Sequence, residues 1–245
     1  MSSEPHTARH FIERLDTLRS LDELAKYKRY FKTGPGEYGE GDVFMGVRMG
    51  QVFALAKEFA DMDLAGIGEL LDERFHEPRA GAMRIMATQA RDKRTPDRQR
   101  QALYELYLRR HDRINDWDLV DLGAWDVVGR WLVDKPRDVL DELARSSNMW
   151  ERRTAILATM AFIRIAQLDD TFRIAELLLG DDQDLIHKAV GWALRAAGDS
   201  DRDRLRAFLD RHAATMPRTN LRYALEHFDD PERAHYMGLR KAVTP

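Results

Sequence analysis

Hydrophobic residues recur along most of the chain at intervals of three and four positions, the spacing of an amphipathic α-helix. In residues 151–164, ERRTAILATMAFIR, one apolar stripe runs between arginines at the two ends. Aspartate and serine mark several helix starts, and Asp63, Asp184 and Ser200 are among the predicted N-caps. Only Asp42 to Arg48, DVFMGVR, has a short β-like pattern. The pattern therefore predicts an all-α fold.

A polar or basic entry followed by a helix rich in small apolar residues recurs five times. The entries are separated by 37, 37, 35 and 34 residues, which is the length of a two-helix unit that buries one face against its neighbours. We therefore predict a helical-repeat solenoid, with a compact irregular bundle as the alternative. The five entries are Arg79, Asp116, Arg153, Lys188 and Arg222.

One glycine-rich segment interrupts the helical pattern. Thr33 to Asp42, TGPGEYGEGD, formally satisfies G-x-G-x-x-G. It follows a helical stretch instead of a strand, and its acidic side chains would repel a phosphate, so we interpret it as a structural connector or surface lid. No linker or low-complexity tract divides the chain, and we predict a single domain over residues 1–245.

Composition narrows the possible chemistry. The chain has 245 residues and no cysteine, which excludes disulfides, thiolate metal sites and cysteine nucleophiles. Charged residues make up 33%, and the 15 glycines and 8 prolines are few, as suits long helices. We find no signal-peptide pattern and no membrane-spanning apolar run, and we expect a cytoplasmic protein. The net charge of -3 gives no global indication of nucleic acid.

Several familiar site patterns are absent or incomplete. His76-Glu77 runs into Pro78 and so does not form H-E-x-x-H. The acidic residues from Asp181 to Asp184 lack the glycine and the terminal glutamate of a calcium loop, and we interpret them as a solvated turn. Neither G-x-S-x-G nor a Walker sequence occurs.

Tryptophans with nearby charges remain as candidates. Trp117 and Asp121 are four positions apart and share a helix face. If the repeats stack as predicted, the inner helices line one concave surface where an indole, a carboxylate and guanidiniums converge. Taken singly, a tryptophan in a helix is more typical of the core, and an aspartate is more typical of a solvated surface. Together they suggest a site for a cationic or aromatic ligand with phosphates nearby. The other members are Trp192, Arg195, Arg152 and Arg153.

Positive charge is concentrated near the end of the chain. His187 to Arg222 contains eight basic and four acidic residues, a local charge of +4. Such segregation is typical of a groove that follows a phosphate backbone. In DSDRDRLRAFLDR, arginines alternate with aspartates, which indicates a solvated, ion-paired helix. We therefore favour the remaining cations as phosphate contacts, namely Lys188, Arg195, Arg218 and Arg222.

Five strings in order resemble the bacterial DNA alkylation repair enzymes of the AlkD-like type, which are alkylpurine DNA glycosylases built from HEAT-like helical repeats. The resemblance covers residues 26–228. The chain departs from the family pattern at Met49-Gly50-Gln51, where a proline-started helix is expected. The strings are YFKTGPGEYGEGDVF (30–44), RINDWDLVD (113–121), NMWERRTAI (148–156), LIHKAVGWALR (185–195) and HAATMPRTNLRYA (212–224).

The resemblance implies a HEAT-like solenoid that binds duplex DNA on its concave face. It also implies that the protein excises 3-methyladenine, 7-methylguanine and related purines from this DNA. It implies that Asp121 is the catalytic carboxylate and that Trp117 and Trp192 contact the lesion nucleotide. Arg153 and Arg195 would contact phosphates, and we place Arg152 beside them. No metal or other cofactor is expected, and a monomer would leave the concave face free.

Two other functions remain open from the sequence. One is a relative that binds DNA structure without breaking a bond, and the other is a helical-repeat scaffold for proteins. Salt-sensitive DNA binding without base release would indicate the first. A preference for a peptide partner over duplex DNA would indicate the second.

Overall fold

The computed structural model describes residues 6–239. Two compact units divide the chain, Met1–Trp131 and Leu132–Pro245. The single domain expected from the sequence stays a prediction. Across residues 6–239, no helix is long and apolar enough to cross a membrane.

The first unit consists of two layers of helices. In one layer α5 packs between α3 and α7, and in the other α4 contacts both α1 and α6. Buried alanines on α5 allow these close contacts, among them Ala80, Ala82 and Ala87. The helices are α1 (Ala8–Asp16), α2 (Leu21–Tyr30), α3 (Met49–Glu58), α4 (Leu64–Asp72), α5 (His76–Arg91), α6 (Asp97–Arg109) and α7 (Trp117–Gly123), which continues into a π-helical turn, Ala124–Gly129.

The second unit is built in the same way. Its α12 packs between α9 and α14, while α8 and α11 pack against each other. At Gly191 on α12 a Cβ would lie 2.4 Å from the Cβ of Tyr223 and 2.7 Å from the carbonyl oxygen of Asn220, so only glycine permits this approach. The helices are α8 (Asp138–Ala144), α9 (Met149–Ala158), α10 (Met160–Ile163), α11 (Asp169–Leu177), α12 (Asp184–Ser200), α13 (Arg202–His212), α14 (Arg218–Ala224) and α15 (Asp230–Gly238).

The predicted all-α class and helical repeat are confirmed. The five repeat entries lie in or next to the helices that pack side by side within each unit: α5 and α7 in the first, and α9, α12 and α14 in the second. The β-like segment forms no strand within residues 6–239, but Val43 makes one parallel bridge with Phe75.

A buried glutamate fixes the extended segment that leads into α3. The carboxylate of Glu77 accepts hydrogen bonds from the amides of Met45 (2.8 Å), Gly46 (2.8 Å) and Val47 (3.1 Å). Glu77 lies in the first turn of α5, where the helix dipole favours a negative charge. Gly46 adopts a φ of 84°, and a Cβ there would lie 2.4 Å from the carbonyl oxygen of Ser20. The segment is thereby attached to the start of α5.

Helix α3 begins at Met49 although the expected proline is missing. The Tyr27 hydroxyl accepts a hydrogen bond from the Met49 amide at 2.8 Å and donates one to the Val47 carbonyl at 2.8 Å. The Arg48 side chain makes no capping hydrogen bond. A tyrosine from α2 thus satisfies the amide that a proline would have lacked.

Backbone amides of the glycine-rich loop donate hydrogen bonds to carboxylates of the same loop. Glu37 accepts a hydrogen bond from the Gly34 amide at 2.9 Å, and Glu40 accepts one from the Gly36 amide at 2.8 Å. A Cβ on Gly39 would lie 2.4 Å from the carbonyl oxygen of Phe31, so the loop packs closely on the end of α2. Amides that bind these carboxylates are not available to a nucleotide phosphate, which agrees with the interpretation as a connector.

Candidate active site

Helix α7 carries the predicted carboxylate and one predicted tryptophan. Asp116 caps the helix, and its Oδ1 accepts a hydrogen bond from the Trp117 amide at 2.6 Å. Trp117 and Asp121 lie one turn apart on one side of the helix, and both are half-buried. The opposite side packs so closely that a Cβ on Gly123 would lie 2.1 Å from the Met83 Cε. The π-helical turn follows directly, and such turns are frequent at functional sites.

The indole of Trp117 rests on aromatic residues from α2 and its C-terminal end. Its ring stacks on Phe31, with centroids 5.8 Å apart and an interplanar angle of 20°. Tyr30, which is 62% exposed, meets the indole edge to face at 5.9 Å. Burial raises the pKa of the Tyr38 hydroxyl, and a hydrogen bond with Trp117 partly offsets this rise. The indole is thus held by α2 and by the glycine-rich loop.

Beneath Trp117, a buried histidine joins two carboxylates. His76 Nδ1 lies 2.7 Å from Asp42 Oδ2, and His76 Nε2 lies 2.8 Å from Asp118 Oδ2. Burial opposes protonation, but Asp118 and Asp42 outweigh it and raise the pKa of His76 to about 10. The ring is therefore an imidazolium that donates to both carboxylates at neutral pH. We call Asp42, His76, Arg79 and Asp118 the His76 network.

Arg79 supplies the second positive charge of the His76 network. Its guanidinium binds Asp42 and the side chain of Asn115, and it donates to the carbonyl of Arg113 at 3.1 Å. Burial alone would raise the pKa of Asp42, but His76 and Arg79 together lower it below its ordinary value. Asp42 therefore remains ionised between two cations.

Asp116 lies beside the network in the opposite state. Burial and the nearby charge of Asp118 raise the pKa of Asp116 to about 8 although His76 opposes the change. Its Oδ2 is buried and has no hydrogen-bond partner among residues 6–239. Burial and Asp118 therefore favour the protonated form of Asp116, whose Oδ1 caps α7.

Three groups here could formally surround a metal ion. Asp42, His76 and Asp116 each offer one ligand atom, and these atoms lie within 4.8 Å of one another. A histidine ligand needs an unprotonated nitrogen, whereas both His76 nitrogens bind carboxylates and Arg79 binds Asp42. This cluster is therefore better suited to the ion pairs that the cationic side chains of His76 and Arg79 form with carboxylates than to a metal ion. The expectation of a metal-free protein stays a prediction.

The two neighbouring arginines of α9 are engaged inside the second unit. Arg153 is only 5% exposed and donates to the Leu185 carbonyl at 2.6 Å. Arg152 binds Asp181 Oδ2 at 2.5 Å and donates to the carbonyls of Ser146 and Ser147. The interpretation of the Asp181 region as a solvated turn was wrong for Asp181, whose side chain is 4% exposed because it pairs with Arg152.

The remaining predicted residues lie on α12 and α14, which pack together. Trp192 and Arg195 are three positions apart on α12, Trp192 is half-buried, and Arg195 pairs with Glu226. Lys188 pairs with Asp184 at 2.7 Å. The exposed Arg218 binds the carbonyls of Met237 and Leu239. Arg222 is exposed, and within residues 6–239 it forms no ion pair. The predicted roles of these residues in binding stay predictions.

Sequence reasoning missed the His76 network. Asp42 and Asp118 both lie in strings that carry the family resemblance, which is the one signal that could have singled them out. In the sequence, His76 belongs only to an incomplete metal motif. Its partners are 34 and 42 positions away, and no local spacing indicates such contacts.

Comparisons with known proteins identify a related fold and a family. No curated protein sequence matches this chain significantly. A solved structure described as a predicted DNA alkylation repair enzyme from Enterococcus faecalis is 15% identical and superposes with a TM-score of 0.67, over 86% of this chain and 97% of that chain. That likeness shows the fold. A family model described as DNA alkylation repair enzyme matches residues 11–228, so this chain belongs to the DNA alkylation repair enzyme family.

Proposed function

We propose that the protein is a DNA glycosylase that removes N3- and N7-alkylated purines from duplex DNA, with Asp121 as its key carboxylate. The observation that carries the proposal is the pairing on α7 of Asp121 with Trp117, a half-buried indole supported by Phe31. A carboxylate and an indole on one rigid helix face suit a cationic lesion. Membership in a DNA alkylation repair family supplies the class of substrate.

The chemistry of the lesion explains why a carboxylate suffices. Alkylation at N3 or N7 gives the purine a positive charge, which makes it a good leaving group. As the glycosidic bond breaks, positive charge develops on the sugar. Asp121 would stabilise this oxocarbenium-like state and orient or deprotonate the attacking water. No metal or other cofactor is required by this reaction.

The indoles would add selectivity for the charged lesion. The face of a tryptophan attracts cations, and the attraction is about 0.5–2 kcal/mol depending on desolvation. Trp117 would make this contact from α7, and Trp192 would do so from α12. A neutral purine gains none of this energy, and it is also a poorer leaving group.

Phosphate binding is assigned to the second unit. Lys188 and Arg222 are the best suited, because exposed ion pairs are weak and a phosphate can replace the partner of Lys188. Arg195 and Arg218 would have to exchange internal partners for phosphates. Arg153 and Arg152 are assigned the same role with less support, because their guanidiniums already bind buried groups. Such contacts hold DNA without reading its sequence.

Release of free base from methylated duplex DNA tests the proposal. We expect the wild type to release N3- or N7-methylpurines and to leave unmethylated duplex intact. Asp121→Asn should fold and bind DNA normally but lose about 100- to 1,000-fold in rate, the usual effect of removing one electrostatic stabiliser. Asp112→Asn, at an aspartate whose side chain is 64% exposed, is the matched control and should release base at the wild-type rate.

Three outcomes would contradict the proposal. Equal release by wild type and Asp121→Asn would remove Asp121 from the mechanism. Salt-sensitive DNA binding without any release would favour a protein that recognises DNA structure only. Preferential binding of a peptide over duplex DNA would favour a scaffold.

A further inference from the structure

Three segments that are far apart in sequence meet at one buried side chain. Asp42 ends the glycine-rich loop, His76 begins α5, and Asp118 is the second residue of α7. The imidazolium of His76 binds one oxygen of each aspartate, at 2.7 and 2.8 Å. Because His76 is fully buried, it does not touch a substrate and can act only through the residues that it holds.

The imidazolium of His76 is bonded to two elements that determine the position of Trp117, namely helix α7 and the glycine-rich loop. Asp118 follows Trp117 directly in the chain, so the bond from His76 to Asp118 fixes the first turn of α7. On the other side, Asp42 anchors the loop whose Tyr38 shares a hydrogen bond with the indole. The relative position of loop and helix around Trp117 therefore depends on one histidine.

The energetics favour an orienting role over a purely stabilising one. Buried ion pairs are often replaceable by apolar side chains without loss of stability, because desolvation offsets their attraction. Three short bonds between charged groups instead impose distances and directions that apolar packing does not. Asp121 is one turn beyond Trp117, and a change in the direction of α7 would displace both residues.

We propose that His76, held between Asp42 and Asp118, is a positioning residue of the active site that orients α7 so that Trp117 and Asp121 meet the lesion nucleotide. The proposal rests on the proposed glycosylase function. According to this proposal, the His76 network affects the rate of base release and does not affect the affinity for DNA.

The test uses the full chain with two network variants and one control. His76→Gln keeps a side chain of similar length but is uncharged and has one nitrogen, so it cannot place a donor at the positions of both imidazole nitrogens. Asp118→Asn removes one of the two carboxylates. Gln89→Leu is the control. Gln89 is buried near the other end of α5, where it donates to the carbonyls of Ala60 and Met62 at 3.0 and 2.7 Å. The control thus disturbs α5 without touching α7.

Two readouts separate positioning from loss of folding. Under single-turnover conditions on methylated duplex DNA, at a temperature where all variants are folded by circular dichroism, we expect His76→Gln and Asp118→Asn to release base about 10- to 100-fold more slowly. Their Kd for the same duplex should stay within about threefold of wild type. Gln89→Leu should keep the wild-type rate.

The second readout does not need catalysis. The emission of Trp117 is isolated by subtracting the spectrum of the matching Trp117→Phe variant. We expect the Trp117 emission to shift to longer wavelength and to be quenched more readily by acrylamide in His76→Gln, but not in Gln89→Leu. A displaced indole is more exposed to water, and this signal reports its position directly.

The outcomes distinguish the two proposals. If the wild type releases base and His76→Gln matches the control, the positioning proposal is overturned and the glycosylase proposal stands. If the wild type releases no base, the glycosylase proposal fails, and an unchanged Trp117 spectrum overturns the positioning proposal as well. A stoichiometric divalent metal that is present in the wild type and lost from His76→Gln would also overturn it, because the cluster would then be a metal site.

Discussion

The indole of Trp117 lies nearly parallel to the ring of Phe31, with centroids 5.8 Å apart and an angle of 20° between the planes. Phe31 is itself buried and stacks on Phe44, whose ring stacks in turn on His76. A continuous aromatic stack therefore connects the half-buried Trp117 to the buried imidazolium. Such support limits the positions that the indole can adopt before any ligand arrives.

Replacing Phe31 should impair the site more than it impairs folding. Phe31→Leu keeps most of the apolar volume and should cost about 1.5 kcal/mol of unfolding free energy, but it removes the flat surface under Trp117. We expect base release about tenfold slower, measured by single-turnover assays on methylated duplex DNA. Phe162→Leu, at a fully buried phenylalanine of the second unit, is the control. Equal rates in both variants would contradict the role given to the stack.

Arg152, which is paired inside the second unit, should contribute more to the free energy of unfolding than the exposed Arg222. Arg152→Met removes a guanidinium that binds Asp181 and two carbonyls, so we expect a loss of about 3 kcal/mol in unfolding free energy measured with urea. Arg222→Ala, at an exposed position, should change stability by less than about 0.5 kcal/mol.

For DNA binding we expect the opposite order, with a larger effect of Arg222→Ala than of Arg152→Met. Arg222→Ala should lower the slope of log Kd against log salt concentration by about one, measured by fluorescence anisotropy with duplex DNA. Arg152→Met should lower the slope by less than Arg222→Ala does, because the Arg152 guanidinium already binds Asp181 and two carbonyls. If Arg152→Met lowers the slope and Arg222→Ala does not, the assignment of these two residues is reversed.

Stability should depend on pH through His76. The pKa of His76 is raised from 6.5 to about 10, so the stabilisation from its protonation is complete below pH 6.5, declines as pH rises, and is lost above about 10. Asp116, whose pKa is raised from 3.8 to about 8, adds to the decline up to about pH 8, because the unfolded chain ionises this carboxyl while burial and Asp118 keep it protonated in the folded protein. Asp42 and Arg79 are the other charged groups that contact His76 or its partners.

Urea denaturation of wild type and His76→Gln across this pH range measures the effect. We expect the wild-type midpoint to fall steadily above pH 6.5 and the midpoint of His76→Gln to change much less, so that the two approach each other at high pH. His227→Gln, at an exposed histidine of the second unit, should follow the wild type. Parallel curves for wild type and His76→Gln would assign the pH dependence to other groups.

Much of the fold could be predicted because it depends on local periodicity. The apolar spacing predicted the helices, and the 34- to 37-residue steps fell on helices that pack side by side. Boundaries were less accurate. Asp63 caps α4 as predicted, whereas Ser200 is the last residue of α12, and Asp201 caps α13.

The candidate site was only partly predictable. The four-residue spacing of Trp117 and Asp121 places them on one helix face wherever the helix lies. Nothing local shows that Arg153 is buried and Arg152 half-buried, since an arginine at a helix start suits a surface equally well. The His76 network depends on contacts across 34 to 42 residues, and these arise only from tertiary packing.

Tyr27 and a proline at position 49 should be alternative ways to start α3. The Tyr27 hydroxyl binds the Met49 amide and the Val47 carbonyl, and Tyr27→Phe should cost about 2 kcal/mol because both groups lose a partner. Met49→Pro removes the amide itself. Arg48 already has the extended ψ of 132° that a following proline requires.

In the Met49→Pro background, Tyr27→Phe should therefore cost about 1 kcal/mol, since only the carbonyl loses its partner. Urea unfolding of the four proteins in this double-mutant cycle measures the difference, and equal costs in both backgrounds would show that the hydroxyl does not cap α3.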